Sequence, residues 1–97
     1  MPSVERTTTI EHEKGLHARP ASAFVQTASE FDSEIAVSRR DGGADADAKS
    51  SISVMSLGVE AGEAIVISAD GPDAERAVDR LVELVDRDFE TASTAED

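Results

Sequence analysis

Hydrophobic positions along the chain switch repeatedly between a spacing of two and a spacing of three and four, and the switches mark the element boundaries. Residues 4–10 (VERTTTI) are rich in β-branched side chains and predict a first strand, followed by a polar loop over 11–16. After Pro20, the residues Ala21, Phe24, Val25 and Ala28 fall three and four apart, the buried face of an amphipathic helix that Phe31 closes. In residues 34–38 (EIAVS), Ile35 and Val37 point the same way, and the polar run 39–43 (RRDGG) predicts a hairpin turn. Residues 44–48 (ADADA) alternate alanine inward with aspartate outward, which predicts a weak strand near a sheet edge.

A short helix is expected over 50–57, with Ser50 as N-cap and Gly58 as its stop. Val54 and Leu57 share one side of it and Ile52 and Met55 another, and a helix this short cannot bury both. Residues 62–69 contain Ala64-Ile65-Val66-Ile67, the most hydrophobic strand of the chain and the one expected at the sheet centre. Pro72-Asp73 opens a last helix with Ala74, Ala77, Val78, Leu81, Val82, Val85 and Phe89 on its apolar face. Arg76, Asp79, Arg80, Glu83 and Arg87 keep its other face solvated. The order β-α-β-β-α-β-α predicts an α+β fold: an open-faced two-layer sandwich, its four-stranded antiparallel sheet covered on one face by three helices. A single domain is expected over residues 1–89, with a small, acidic, disordered tail over 90–97.

Composition narrows the chemistry. Ninety-seven residues can enclose one core, without a cleft between domains. There is no cysteine, and two histidines without a clustered carboxylate pattern argue against zinc, so neither a metal nor a cofactor is expected. No apolar run approaches the ~20 residues of a membrane-spanning helix and no signal-peptide pattern opens the chain, so a cytoplasmic protein without membrane insertion is expected. Twenty-one acidic residues against nine basic ones give a net charge of -12, which excludes nucleic acid as a partner. Only Lys14 and Lys49 are lysines. Acid excess of this kind suits molar salt, where self-repulsion is screened within about 3 Å, and points to a salt-accumulating halophile.

Against this background one string stands out: Gly15-Leu16-His17-Ala18-Arg19-Pro20. It puts an imidazole at a helix start, where unpaired N–H groups and the positive end of the macrodipole favour an anion. A neutral imidazole is a competent nucleophile near neutral pH. Arg19 adds fixed charge and a donor fork that matches phosphate oxygens, Gly15 permits the sharp turn, and Pro20 suits a first turn. His12, among Glu11, Glu13 and Lys14, reads as a solvated surface residue.

The element order, the GLHARPA string and the later Lys49-Ser50-…-Val54-Met55-Ser56-Leu57-Gly58 segment together resemble the HPr family, the histidine-containing phosphocarriers of the phosphoenolpyruvate-dependent sugar phosphotransferase system. The resemblance runs from about Val4 to Phe89. It implies His17 as the phosphorylated residue, Arg19 with the N–H groups of Ala18 and Arg19 as the phosphate-binding groups, and Ser50 as a regulatory phosphorylation position. It further implies Ile52 and Met55 as a partner-docking patch, Enzyme I as donor, and as acceptors EIIA-type domains or a dihydroxyacetone kinase subunit of the same system. Transfer then serves sugar uptake, such as that of fructose, or dihydroxyacetone phosphorylation, through a monomeric carrier that is not itself a turnover enzyme. With the acid excess, the expected source is a halophilic archaeon.

The chain also departs from the family pattern. Ser51 stands at a usually apolar position, Gln26 and Ser29 where many bacterial relatives carry lysines, and Lys14 where asparagine is common, and the hairpin through Gly42-Gly43 is about two residues longer. Two alternatives compete with the carrier: an HPr-like regulatory binding module without onward transfer, and a small-ligand-binding domain without phosphoryl chemistry. The first would be expressed as loss of His17 or Arg19, and both are present; the second lacks any pocket signature beyond residues 15–20.

Overall fold

A computed structural model describes residues 3–89; the acidic segment 90–97 lies outside them. The elements are β1 (Val4–Thr9), α1 (Ala18–Ala28), β2 (Glu34–Arg39), β3 (Ala46–Asp47), α2 (Ser51–Ser56), β4 (Ala64–Asp70) and α3 (Ala74–Asp86). The strands form one antiparallel sheet in the order β1-β4-β2-β3, with Thr8 opposite Ile65 and Val37 opposite Ile67. The most hydrophobic strand is thus central, and the alanine-aspartate strand is at an edge. Ala46 and Ala48 face inward as the alternation predicts, but pairing shrinks to Ala46 and Asp47 opposite Val37 and Ala36. Alanine offers an edge strand too little apolar surface to extend the ladder.

All three helices pack on one side of the sheet, which matches the HPr-like α+β architecture. Their buried faces meet Ile35, Val37, Ile65 and Ile67 in a single core that includes Leu16, Phe24, Val54 and Leu81. In α3 the buried stripe is Ala74, Ala77, Val78, Leu81, Leu84 and Val85, so Leu84 lies in the core and Val82 flanks it. Leu84 stands seven residues after Ala77 and three after Leu81, on the stripe itself, whereas Val82 is turned about 100° away from Leu81. Among the described residues no helix is long and apolar enough to cross a membrane.

Asp73 works differently from the simple helix opening that its position suggests. It is the N-cap of α3 but makes no side-chain cap bond. Its carboxylate instead reaches the turn before β2, accepting hydrogen bonds from the Ser33 hydroxyl at 2.5 Å, the Ser33 N–H at 2.9 Å and the Asp32 N–H at 2.9 Å. The Asp73 N–H donates back to Ser33 Oγ at 3.2 Å. Gly71 makes this approach possible, since a Cβ there would stand 2.7 Å from Ser33 Cα. The Ser33 hydroxyl, and then the Asp32 N–H, pull the Asp73 carboxyl from 3.8 down to about 2.

A depressed folded-state value makes the unfolded chain bind more protons in that window, so stability rises with pH there. The Asp73 contribution is full above pH 3.8 and is lost as pH falls through about 2. Asp41 and Glu63, both held low by hydrogen bonds from Arg39, add loss in the same direction. Denaturation midpoints measured at intervals between neutral pH and pH 2 are expected to fall steeply at the acid end. In Asp73→Asn that acid-side fall is expected to become shallower.

Candidate functional site

The loop between β1 and α1 is tied down by backbone. The Gly15 N–H donates to the His12 carbonyl at 2.8 Å, and the Leu16 N–H donates to the Val59 carbonyl at 3.0 Å. Gly15 adopts φ +69, and a Cβ at that position would lie 2.5 Å from the Val59 oxygen and 2.9 Å from Glu60 Cα. The glycine therefore serves two ends: a left-handed turn and a contact of backbone on backbone. Leu16, fully buried, anchors the loop in the core one residue before the imidazole.

His17 is the N-cap of α1, in extended conformation at φ -134 and ψ 168, and its side chain makes no cap bond. Its carbonyl accepts the first helical hydrogen bond, from the Ala21 N–H at 3.3 Å. The helix thus begins at the histidine, where the motif places it. The hydrophobic repeat starts only at Pro20 and Ala21, and Ala18 and Arg19 are exposed. Because Pro20 has no N–H, the first-turn donors without an intrahelical partner are those of Ala18 and Arg19. Ala18 has φ +52, a left-handed conformation that costs a non-glycine residue about 1 kcal/mol and that no feature of the sequence announces.

The His17 side chain is 33 % exposed, and its Nε2 lies 3.6 Å from Glu60 Oε2. Arg19 forms no ion pair among the described residues, unlike Arg6, Arg39, Arg80 and Arg87. Its five donors remain available to an incoming anion. The site therefore brings together a half-exposed imidazole facing Glu60, a guanidinium without an ion-pair partner among the described residues, and two helix N-terminal N–H groups. No group of three or more potential metal ligands occurs among the described residues.

The short helix lies beside it, since α2 packs on α1. Ser50 caps α2 as predicted, its hydroxyl accepting from the Ser53 N–H at 3.3 Å. Ser50→Ala is expected to lower stability by about 1 kcal/mol, a shift that urea denaturation resolves. Val54 is buried, whereas Ile52 is 76 % and Met55 37 % exposed, the large hydrophobic residues left facing water.

Two features of the surroundings were not anticipated. Arg39, predicted only as a polar turn residue, forms a fork with Asp41 (3.1 and 3.2 Å), bonds Glu63 at 2.8 Å, and donates to the Gly58 carbonyl at 3.0 Å. It ties the hairpin to the end of α2. His12 is half-buried: its Nδ1 accepts from the Lys14 N–H at 3.1 Å, and its ring meets Phe89 edge-on at 5.9 Å. The polar neighbours of His12 in sequence do not reveal that Phe89, three residues beyond the end of α3, comes back to cover it. The same Lys14 N–H contact helps close a loop in which the family's common asparagine is absent.

The family model described as "PTS HPr component phosphorylation site" matches residues 4–87. The chain is 44 % identical over 82 residues to the phosphocarrier protein HPr of Haloferax volcanii, a match covering 84 % of this chain and 92 % of that one. It is 43 % identical over 83 residues to the HPr of Vibrio cholerae, covering 86 % and 95 %. Among solved structures, an HPr from Thermoanaerobacter tengcongensis superposes with a TM-score of 0.83 at 45 % identity, covering 89 % of this chain and 94 % of that one. Fold, site and these similarities converge: the chain belongs to the HPr family of phosphocarriers of the phosphotransferase system.

Proposed function

We propose that His17 is the phosphoryl acceptor of this carrier, receiving the group from phosphorylated Enzyme I and delivering it to EIIA-type domains or a dihydroxyacetone kinase subunit, in support of uptake of a sugar such as fructose or of dihydroxyacetone phosphorylation. The observation that carries the reading is the N-cap imidazole with no capping bond, beside a guanidinium that has no carboxylate partner among the described residues. The ring is the nucleophile, while Arg19 and the N–H groups of Ala18 and Arg19 hold the transferring oxygens. Such a transfer asks for in-line positioning and charge stabilisation, both of which an exposed helix N-terminus supplies.

Ile52 and Met55 form the docking patch on this reading, supported by their exposure on a helix packed against α1. Ser50 is the regulatory position: a phosphate there would place negative charge beside the patch and oppose docking on an acidic partner. The carrier acts as a cytoplasmic monomer, which a core closed within one chain supports. The Thermoanaerobacter tengcongensis HPr has also been solved as a dimer, and sedimentation at working concentration measures which state this chain adopts. The net charge of -12 and the Haloferax relative support a halophilic archaeal source.

The test is a chase. The protein, charged with phosphoenolpyruvate and Enzyme I in high salt and then freed of both, is mixed with a purified EIIA-type domain. Loss of label from the carrier with matching gain on the acceptor is expected. Label that stays on this chain while it binds its partners would instead mark a regulatory module without onward transfer.

A further inference from the structure

Glu60 has no part in the sequence reading, yet its carboxylate is the charged group that the fold brings to the imidazole, at 3.6 Å from Nε2. The placement is built by backbone. The Leu16 N–H holds the Val59 carbonyl at 3.0 Å, and Gly15 admits Glu60 Cα to a distance that a side chain would forbid. On the other side the Glu60 N–H donates to Glu63 Oε1 at 2.9 Å, and Glu63 is gripped by Arg39 at 2.8 Å. The main chain of Glu60 is fixed from both directions, while its side chain, 71 % exposed, is free to swing. At 3.6 Å the contact is an electrostatic pair, which a small rotation closes to a hydrogen bond.

We propose that Glu60 is a positioning residue for the phosphoryl chemistry of His17: it holds the proton on Nε2, leaves the lone pair on Nδ1, and balances the charge that the ring acquires. The proposal rests on His17 being the acceptor. A carboxylate can accept a hydrogen bond from Nε2–H but repels a lone pair, so it selects that tautomer. It also repels a phosphoryl group at Nε2 and leaves Nδ1, on the other edge of the ring, as the site of attack.

The balance is simple. The Nδ1 lone pair forms the new N–P bond as the phosphorylated protein donor's bond to phosphorus breaks, and that bond's electron pair stays with the donor. Nε2 keeps its proton throughout, so the ring becomes an imidazolium carrying a phosphoryl group, and Glu60 faces the cation. Onward transfer breaks the N–P bond and returns its electron pair to Nδ1.

The experiment uses full-length protein with 15N-labelled histidine, as wild type, Glu60→Gln and Glu60→Asp. Long-range proton–nitrogen spectra report the tautomer of the free ring and the nitrogen that bears phosphorus. Wild type is expected to hold the Nε2–H tautomer and to be phosphorylated at Nδ1. Glu60→Gln is expected to shift the tautomer population toward Nδ1–H and to slow acceptance about fivefold, the scale of an exposed charge pair, and Glu60→Asp to recover part of both. A tautomer population and acceptance rate in Glu60→Gln equal to wild type would overturn the role of Glu60 while leaving the carrier intact. Wild type that takes no phosphoryl group on His17 would overturn the acceptor assignment and this inference with it.

Discussion

His17→Ala is expected to lose phosphoryl acceptance completely, while Arg19→Ala keeps the acceptor and transfers about 10- to 100-fold more slowly. The difference follows from what each side chain contributes. On the proposed reading the imidazole forms the covalent bond, and no second nucleophile stands in its place among the described residues of the site. His12 is the remaining histidine, but its Nδ1 is engaged by the Lys14 N–H and its ring packs on Phe89. Arg19 stabilises charge that the N–H groups of Ala18 and Arg19 also stabilise, so its removal weakens the site without erasing it. The fold should not suffer in either variant, since the side chain of His17 makes no capping bond and Arg19 is exposed. Unchanged melting temperatures beside these rates, measured with phosphorylated Enzyme I as donor, separate lost chemistry from lost structure.

Gly15→Ala is expected to damage structure and site together, by about 3 kcal/mol in stability. Two penalties add. The residue must hold φ +69, and its new methyl would meet backbone atoms of Val59 and Glu60 that cannot rotate out of the way. Relief requires the Gly15-Leu16 loop to lift, which breaks the Leu16 to Val59 hydrogen bond and pulls His17 away from Glu60. In a domain this small the melting temperature should fall by roughly 15 °C. Gly42→Ala is a useful control, because its Cβ would point into open space, so the loss there is limited to its positive φ. A Gly15→Ala protein as stable as the Gly42→Ala control would show that the close approach of the two loops is not required.

Most of the architecture was legible in local pattern. The alternation of Ile35 with Val37 and of Ile65 with Ile67 follows from a period of two, and the α1 face from a period near 3.6, so the layers and the central strand could be read directly. Even the exposure of Ile52 and Met55 followed, because a single turn and a half of helix has one buried side. The loop and helix start that carry the candidate site were equally visible, since Gly15, His17 and Arg19 fall within five consecutive positions. What escaped has a common character: it depends on residues far apart in sequence. Asp73 and Ser33 are joined across 40 positions, Arg39 and Glu63 across 24, and His17 meets Glu60 only because two loops touch. In a chain with 21 acidic residues, no local signal sets Glu60 apart from the others. One local cue is Gly15, since a glycine permits close backbone approach as well as a sharp turn.

Direct localisation of the phosphoryl group tests whether this fold presents His17 as its acceptor. After charging with phosphoenolpyruvate and Enzyme I in high salt, the protein is digested at alkaline pH to preserve phosphohistidine, and the peptides are mapped by mass spectrometry. A single acid-labile phosphoryl group on His17 is expected. A group on His12, a stable phosphate on Ser50 alone, or an uncharged protein would contradict it.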